Sequence, residues 1–113
     1  MKKLCLALFT GLTAVVLTAT LDLTGNWEVE ANFDDSSLSA GGFDCALKQD
    51  GEQLTGTCSG GSAQLTGQLK GQNVSWKMKE VTYVGTVNET GTSMRGRFTI
   101  DGQGGSFTAL KSR

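Results

Sequence analysis

Two cysteines, Cys45 and Cys58, are the residues of this chain best placed to do covalent chemistry, and a disulfide is the chemistry their setting favours. The alternative is a pair of free thiols packed as small hydrophobes. Two cysteines thirteen apart do not make a zinc site, which in structural form needs four protein ligands. Histidine is absent. That removes the usual general base and rules out a Ser-His-acid arrangement. Glu28 and Glu30 share one face of an alternating segment and read as a solvated strand face rather than an acid–base pair. Asp34-Asp35-Ser36-Ser37 lacks the spaced oxygen ligands of a calcium loop and reads as turn chemistry. Gly102-Gln103-Gly104-Gly105 lacks the lysine and the following helix that a phosphate cradle needs. Arg95, Arg97, Lys77 and Lys79 form a small basic group expected to be solvated exterior. Asn73-Val-Ser75 and Asn88-Glu-Thr90 match the glycosylation sequon. These residues give no catalytic constellation, no metal site and no cofactor, so the chain is expected not to be an enzyme.

What remains is apolar. Trp27, Phe43, Trp76, Tyr83 and Phe98 are expected to face one interior and are the candidate lining of a ligand cavity, with Phe107 beside them. The competing expectation is that these rings simply fill the core.

The segments that must position them are short and alternate with a period of two, the pattern of half-buried strands. Trp27, Val29, Ala31 and Phe33 alternate with Glu28, Glu30 and Asn32. Phe43, Cys45 and Leu47 carry a second strand inward, and Leu54, Gly56 and Cys58 a third. A fourth has Ala63, Leu65, Gly67 and Leu69, and a fifth Val74, Trp76 and Met78. Tyr83, Gly85 and Val87 form a sixth. Met94, Gly96, Phe98 and Ile100 form a seventh, and Phe107 and Ala109 a closing eighth. Turn formers separate them: Asp34–Gly42, Asp50-Gly51, Lys70–Gln72, Asn88–Gly91 and Asp101–Gly105. Between the second and third strands, a two-residue turn sets Cys45 opposite Gly56, whereas a four-residue loop over Asp50–Gln53 sets Cys45 opposite Cys58. Both registers keep the same faces inward, because the slip is even. Eight strands in simple succession predict an all-β fold, an eight-stranded antiparallel up-and-down barrel whose closure removes exposed edges.

The first 19 residues stand apart. Lys2 and Lys3 precede an uncharged run from Leu4 to Leu21, and Thr18, Ala19 and Thr20 offer a small-residue cleavage site. This is the layout of a secretory signal peptide over residues 1–19, followed by one domain over 20–113. An uncleaved anchor is the alternative, and both readings put the domain outside the cytoplasm. The expected location is periplasmic or secreted, with no membrane association after cleavage. Without Lys2 and Lys3 the formal charge of −1 becomes −3, and no basic stripe exists to neutralise phosphates, which argues against nucleic acid.

Leu23-Thr-Gly-Asn-Trp27 resembles the Gly-x-Trp strand that opens calycin-type barrels, the lipocalins and avidins. Leu54-Thr-Gly-Thr, Leu65-Thr-Gly, Val74-Ser-Trp-Lys and Tyr83-Val-Gly are similar in order to avidin strands. Gly51–Gly56, Gly71–Val74 and Gly105–Ala109 look like the recurring pattern of small bacterial calycin-like domains of exported proteins. The resemblance covers nearly the whole of residues 20–113, through short motifs that are mostly structural, and implies a meander barrel. Biotin binding does not carry over, because Val29, Phe33 and Cys58 stand where polar residues would hold the ureido group. A second resemblance is to periplasmic inhibitors of secreted metalloproteases, although only Thr20 to Leu23 would form their inhibitory arm. The expected function is therefore an exported binding module for a small apolar or amphipathic ligand. The alternative is a protein-interaction domain, such as a periplasmic protease inhibitor, acting on an exported protein partner.

Overall fold

Alternating apolar and polar side chains are stable in a strand only if one face leaves water, and eight such strands here close on one another. The computed structural model describes residues 21–38 and 41–112. The expected signal peptide over 1–19 lies outside these described residues. The strands are β1 (Gly25–Phe33), β2 (Gly42–Asp50), β3 (Gln53–Cys58), β4 (Ala63–Lys70), β5 (Asn73–Met78), β6 (Val81–Val87), β7 (Ser93–Ile100) and β8 (Gln103–Ser112). Each pairs antiparallel with its neighbours, and β8 returns to β1, giving a closed barrel in sequence order. A 3-10 turn over Ser59–Gly61 links β3 to β4.

The faces follow the period of two. Trp27, Val29 and Ala31 are buried on β1, Leu65 and Leu69 on β4, Val74 and Trp76 on β5, and Phe107 and Ala109 on β8. Among the described residues no polar or charged residue is buried. Burying the valine, leucine and phenylalanine side chains among these stabilises the fold by about 1.5–3 kcal/mol each.

Cys45 lies opposite Cys58 and is bonded to it, with the two Cα atoms 4.0 Å apart. That is the register of the longer loop, but the loop is tighter than expected. Asp50 pairs with Gln53, so the turn residues are Gly51 and Glu52 rather than Asp50 and Gly51. Gly51, at the first turn position, takes φ of 64°, which favours glycine there. The last turn is also shorter than the sequence suggests. Asp101 and Gly102 alone turn the chain, both at positive φ, and Gln103, Gly104 and Gly105 already belong to β8. Positive φ at both central positions is what a type I′ hairpin requires.

The barrel is drawn tight where Gly85 of β6 faces Gly96 of β7. A Cβ built on Gly85 would run into the Arg95 carbonyl, and one on Gly96 into the Val84 carbonyl. Strongly coiled barrel strands use glycine at such points.

Candidate functional site

The meander gives the barrel two unlike ends. β1 starts and β8 finishes at one of them, together with the 51–52, 71–72 and 88–92 connections. The other end carries the 34–41 connection, the Ser59–Gly61 turn, and the tight turns at 79–80 and 101–102.

The first end is sealed. Residues 21–24 cross it ahead of β1, and Leu23 is fully buried. The Trp27 indole N–H donates to the Leu23 carbonyl at 2.8 Å. Gln49 pins the crossing segment from the side: its Oε1 accepts from the Leu23 N–H at 2.8 Å and its Nε2 donates to the Leu21 carbonyl at 2.8 Å. These bonds satisfy backbone groups that would otherwise be desolvated without partners.

The second end is a mouth. It holds a recess of about 360 Å³ lined by Ala31, Phe33, Phe43, Val81, Tyr83, Phe98 and Ile100, with Gly41, Gly42 and Ser59 at its edge. The rings form a continuous band. Phe33 meets Phe98 edge-on with centroids 5.1 Å apart, Phe98 lies 5.9 Å from Tyr83, and Tyr83 meets Phe43 edge-on at 6.5 Å. Each such pair adds about 0.5–1.5 kcal/mol beyond its buried area.

Below that band the barrel is filled. Trp76 stacks face to face on Tyr83 at 4.1 Å, and Phe107 stands perpendicular to both rings at 5.9 and 5.2 Å. The Trp76 indole N–H is buried with no hydrogen-bond partner among the described residues. Burial pushes the Tyr83 phenol above its ordinary pKa.

The five candidate lining residues therefore separate by height. Phe43, Tyr83 and Phe98 line the recess. Trp76 stacks on Tyr83, its partner on the neighbouring strand, without lining the recess, and Trp27 sits at the sealed end. Phe33 and Ile100 complete the mouth and were not candidates. Each is the last inward position of its strand before a connection at that end, a signal present in the alternation.

Charges lie outside. Glu28, Glu30, Arg95, Arg97, Lys77 and Lys79 are exposed. Arg97 makes a two-pronged ion pair with Asp34, and its hydrogen bond and charge hold the Asp34 carboxyl below the usual range. Asp35 accepts from the Ser37 N–H at 2.9 Å and hydroxyl at 2.7 Å, which is turn chemistry. Asn88 is tied into its own loop, its Oδ1 accepting from the Thr92 and Ser93 N–H groups at 2.9 and 3.1 Å. Among the described residues the recess itself offers apolar and π surface, the Tyr83 phenol and the Ser59 hydroxyl, with carboxylates on the connections around it. It can bind by exclusion of water and by ring contacts.

No family model matches the chain, and no curated protein matches it.

Proposed function

We propose that the chain is an exported, non-enzymatic binding module of the calycin-like kind, taking a small apolar or amphipathic ligand at the barrel mouth. The recess of about 360 Å³ carries this reading: it is open, apolar, and rimmed by aromatic rings. Its size falls at the small end of ligand sites, about 300–1,000 Å³, and suits one compact group rather than a long chain. Export is supported by the signal-like residues 1–19 and by the Cys45–Cys58 bridge, since such bonds persist in oxidising compartments.

A second reading, a protein-interaction domain, is favoured by one observation. The 34–41 connection borders the mouth through Gly41 and carries the exposed Leu38, an arrangement that suits a protein surface as well as a small molecule.

Native mass spectrometry of the protein from an exported fraction separates the two. A folded monomer beginning near Thr20 with added small-molecule mass supports the binding module. A bare chain recovered with a protein partner supports the second reading. A chain retaining residues 1–19 overturns cleavage of the signal.

A further inference from the structure

Resting on the binding-module reading, we infer that the mouth recognises an alkylated ammonium group, of the trimethylammonium kind, carried on a small molecule. Four of the eight side chains lining the recess are aromatic, namely Phe33, Phe43, Tyr83 and Phe98. They are inclined to their neighbours by 72°, 34° and 66° in turn, so the band curves instead of forming one flat wall. Phe33 and Phe43 are half-buried at the opening with Tyr83 and Phe98 buried behind them, and aromatic rings grouped in this way attract a soft cation through their quadrupoles.

Charge and hydrogen bonding select among cations. The connections around this mouth carry Asp34, Asp35, Glu80 and Asp101 against Lys79, while Arg97 is already paired with Asp34. That acidic rim raises the local concentration of cations and repels carboxylates. A primary ammonium entering the recess would need acceptors for three N–H groups, and the lining offers the Tyr83 phenol, the Ser59 hydroxyl and edge carbonyls only. A fully alkylated ammonium brings no donor, so its burial leaves no hydrogen bond unmade. Its methyl groups fit the apolar lining. Fully alkylated ammonium is thus the cation this recess accommodates at least cost.

The test titrates the folded, disulfide-bonded protein with choline and with choline's neutral carbon isostere, in which a tert-butyl group replaces trimethylammonium. Ring-proton NMR shifts of Phe33, Phe43, Tyr83 and Phe98 report the site. The expected result is choline binding at least about fivefold tighter than the isostere, with shifts at these rings. Phe43→Leu should reduce the preference while keeping isostere binding, because Phe43 is only partly buried and leucine preserves the apolar lining, and an unchanged preference would overturn the proposal. Equal affinity for the two ligands would overturn the cationic specificity and leave the apolar binding module standing. Binding of neither would overturn both.

Discussion

Reduction of the Cys45–Cys58 bridge isolates the contribution of one covalent link to the barrel. The bond joins directly opposed residues of the β2–β3 hairpin across a sequence separation of 13. In the chain-entropy model, closing a loop of that size removes about 3 kcal/mol of freedom from the unfolded state. A domain this small has a urea slope of about 1–1.5 kcal/mol per M, so reduction should lower the unfolding midpoint by about 2–3 M. The assay is urea unfolding followed by tryptophan fluorescence, with and without a thiol reductant. Both sulfurs are buried, at 2% and 1% residue exposure, so the reduced thiols still pack. The double variant Cys45→Ala/Cys58→Ala loses that packing too and should unfold at lower urea still. Midpoints within about 0.3 M for oxidised and reduced protein would refute the reasoning, because the hairpin would then hold its own ends together in the unfolded chain.

Leu23→Ala should cost about 2–5 kcal/mol by opening a cavity at the sealed end, read as a fall in melting temperature, and an unchanged melting temperature would show that residues 21–24 do not plug the barrel. Gly96→Ala should destabilise by about 1–3 kcal/mol, since its Cβ meets the β6 backbone at Val84 and Gly85; denaturant unfolding checks it. Tyr83 is the sole tyrosine, so tyrosinate absorbance reads it directly. Its folded pKa is raised by burial, so it contributes stability that is fully present below the unfolded value near 10 and lost as pH rises through the folded value. Titration at the free-tyrosine pH in the folded protein would contradict its burial. Asp34 has a lowered folded pKa, from its hydrogen bond to Arg97 first and then the cation's charge. Its contribution is present above about pH 4 and lost as pH falls through the folded value. Stability–pH curves of wild type and Asp34→Asn should therefore converge in acid and separate above that range, less so in high salt.

The strand faces were legible in the sequence because alternation is local: Trp27, Val29 and Ala31 point inward whatever β2 or β8 does. Register was legible only through the cysteines, whose expected bridge selects the pairing of Cys45 with Cys58, and the two Asp-Gly dipeptides show why the rest of the pattern is silent. Asp101-Gly102 forms its turn outright, whereas at Asp50-Gly51 the aspartate stays in the strand and the turn moves one residue on. Both placements keep the same residues inward, so hydrophobic pattern is blind to the difference. The opposed cysteines mark the register adopted. Height along the barrel was hidden for a similar reason. Trp27 and Phe43 both read as inward aromatics, yet one seals an end and the other lines the mouth. Which is which depends on the stagger of strands distant in sequence. The plug was hidden because Leu23 precedes the alternating run, and nothing local says it folds across the barrel.

The seam that closes the barrel brings Asn26 of β1 beside Ser112 of β8, at the end opposite the aromatic mouth. The chain therefore has a back and a front. Whatever is joined through Ser112 leaves from the sealed base, and the mouth faces away from it. In a capture format, a tether joined through Ser112 would need no orienting linker. A peptide inserted between Asp101 and Gly102 would instead stand at the rim of the opening. Attachment chemistry, rather than any change to the rings, would then decide whether the recess meets solution.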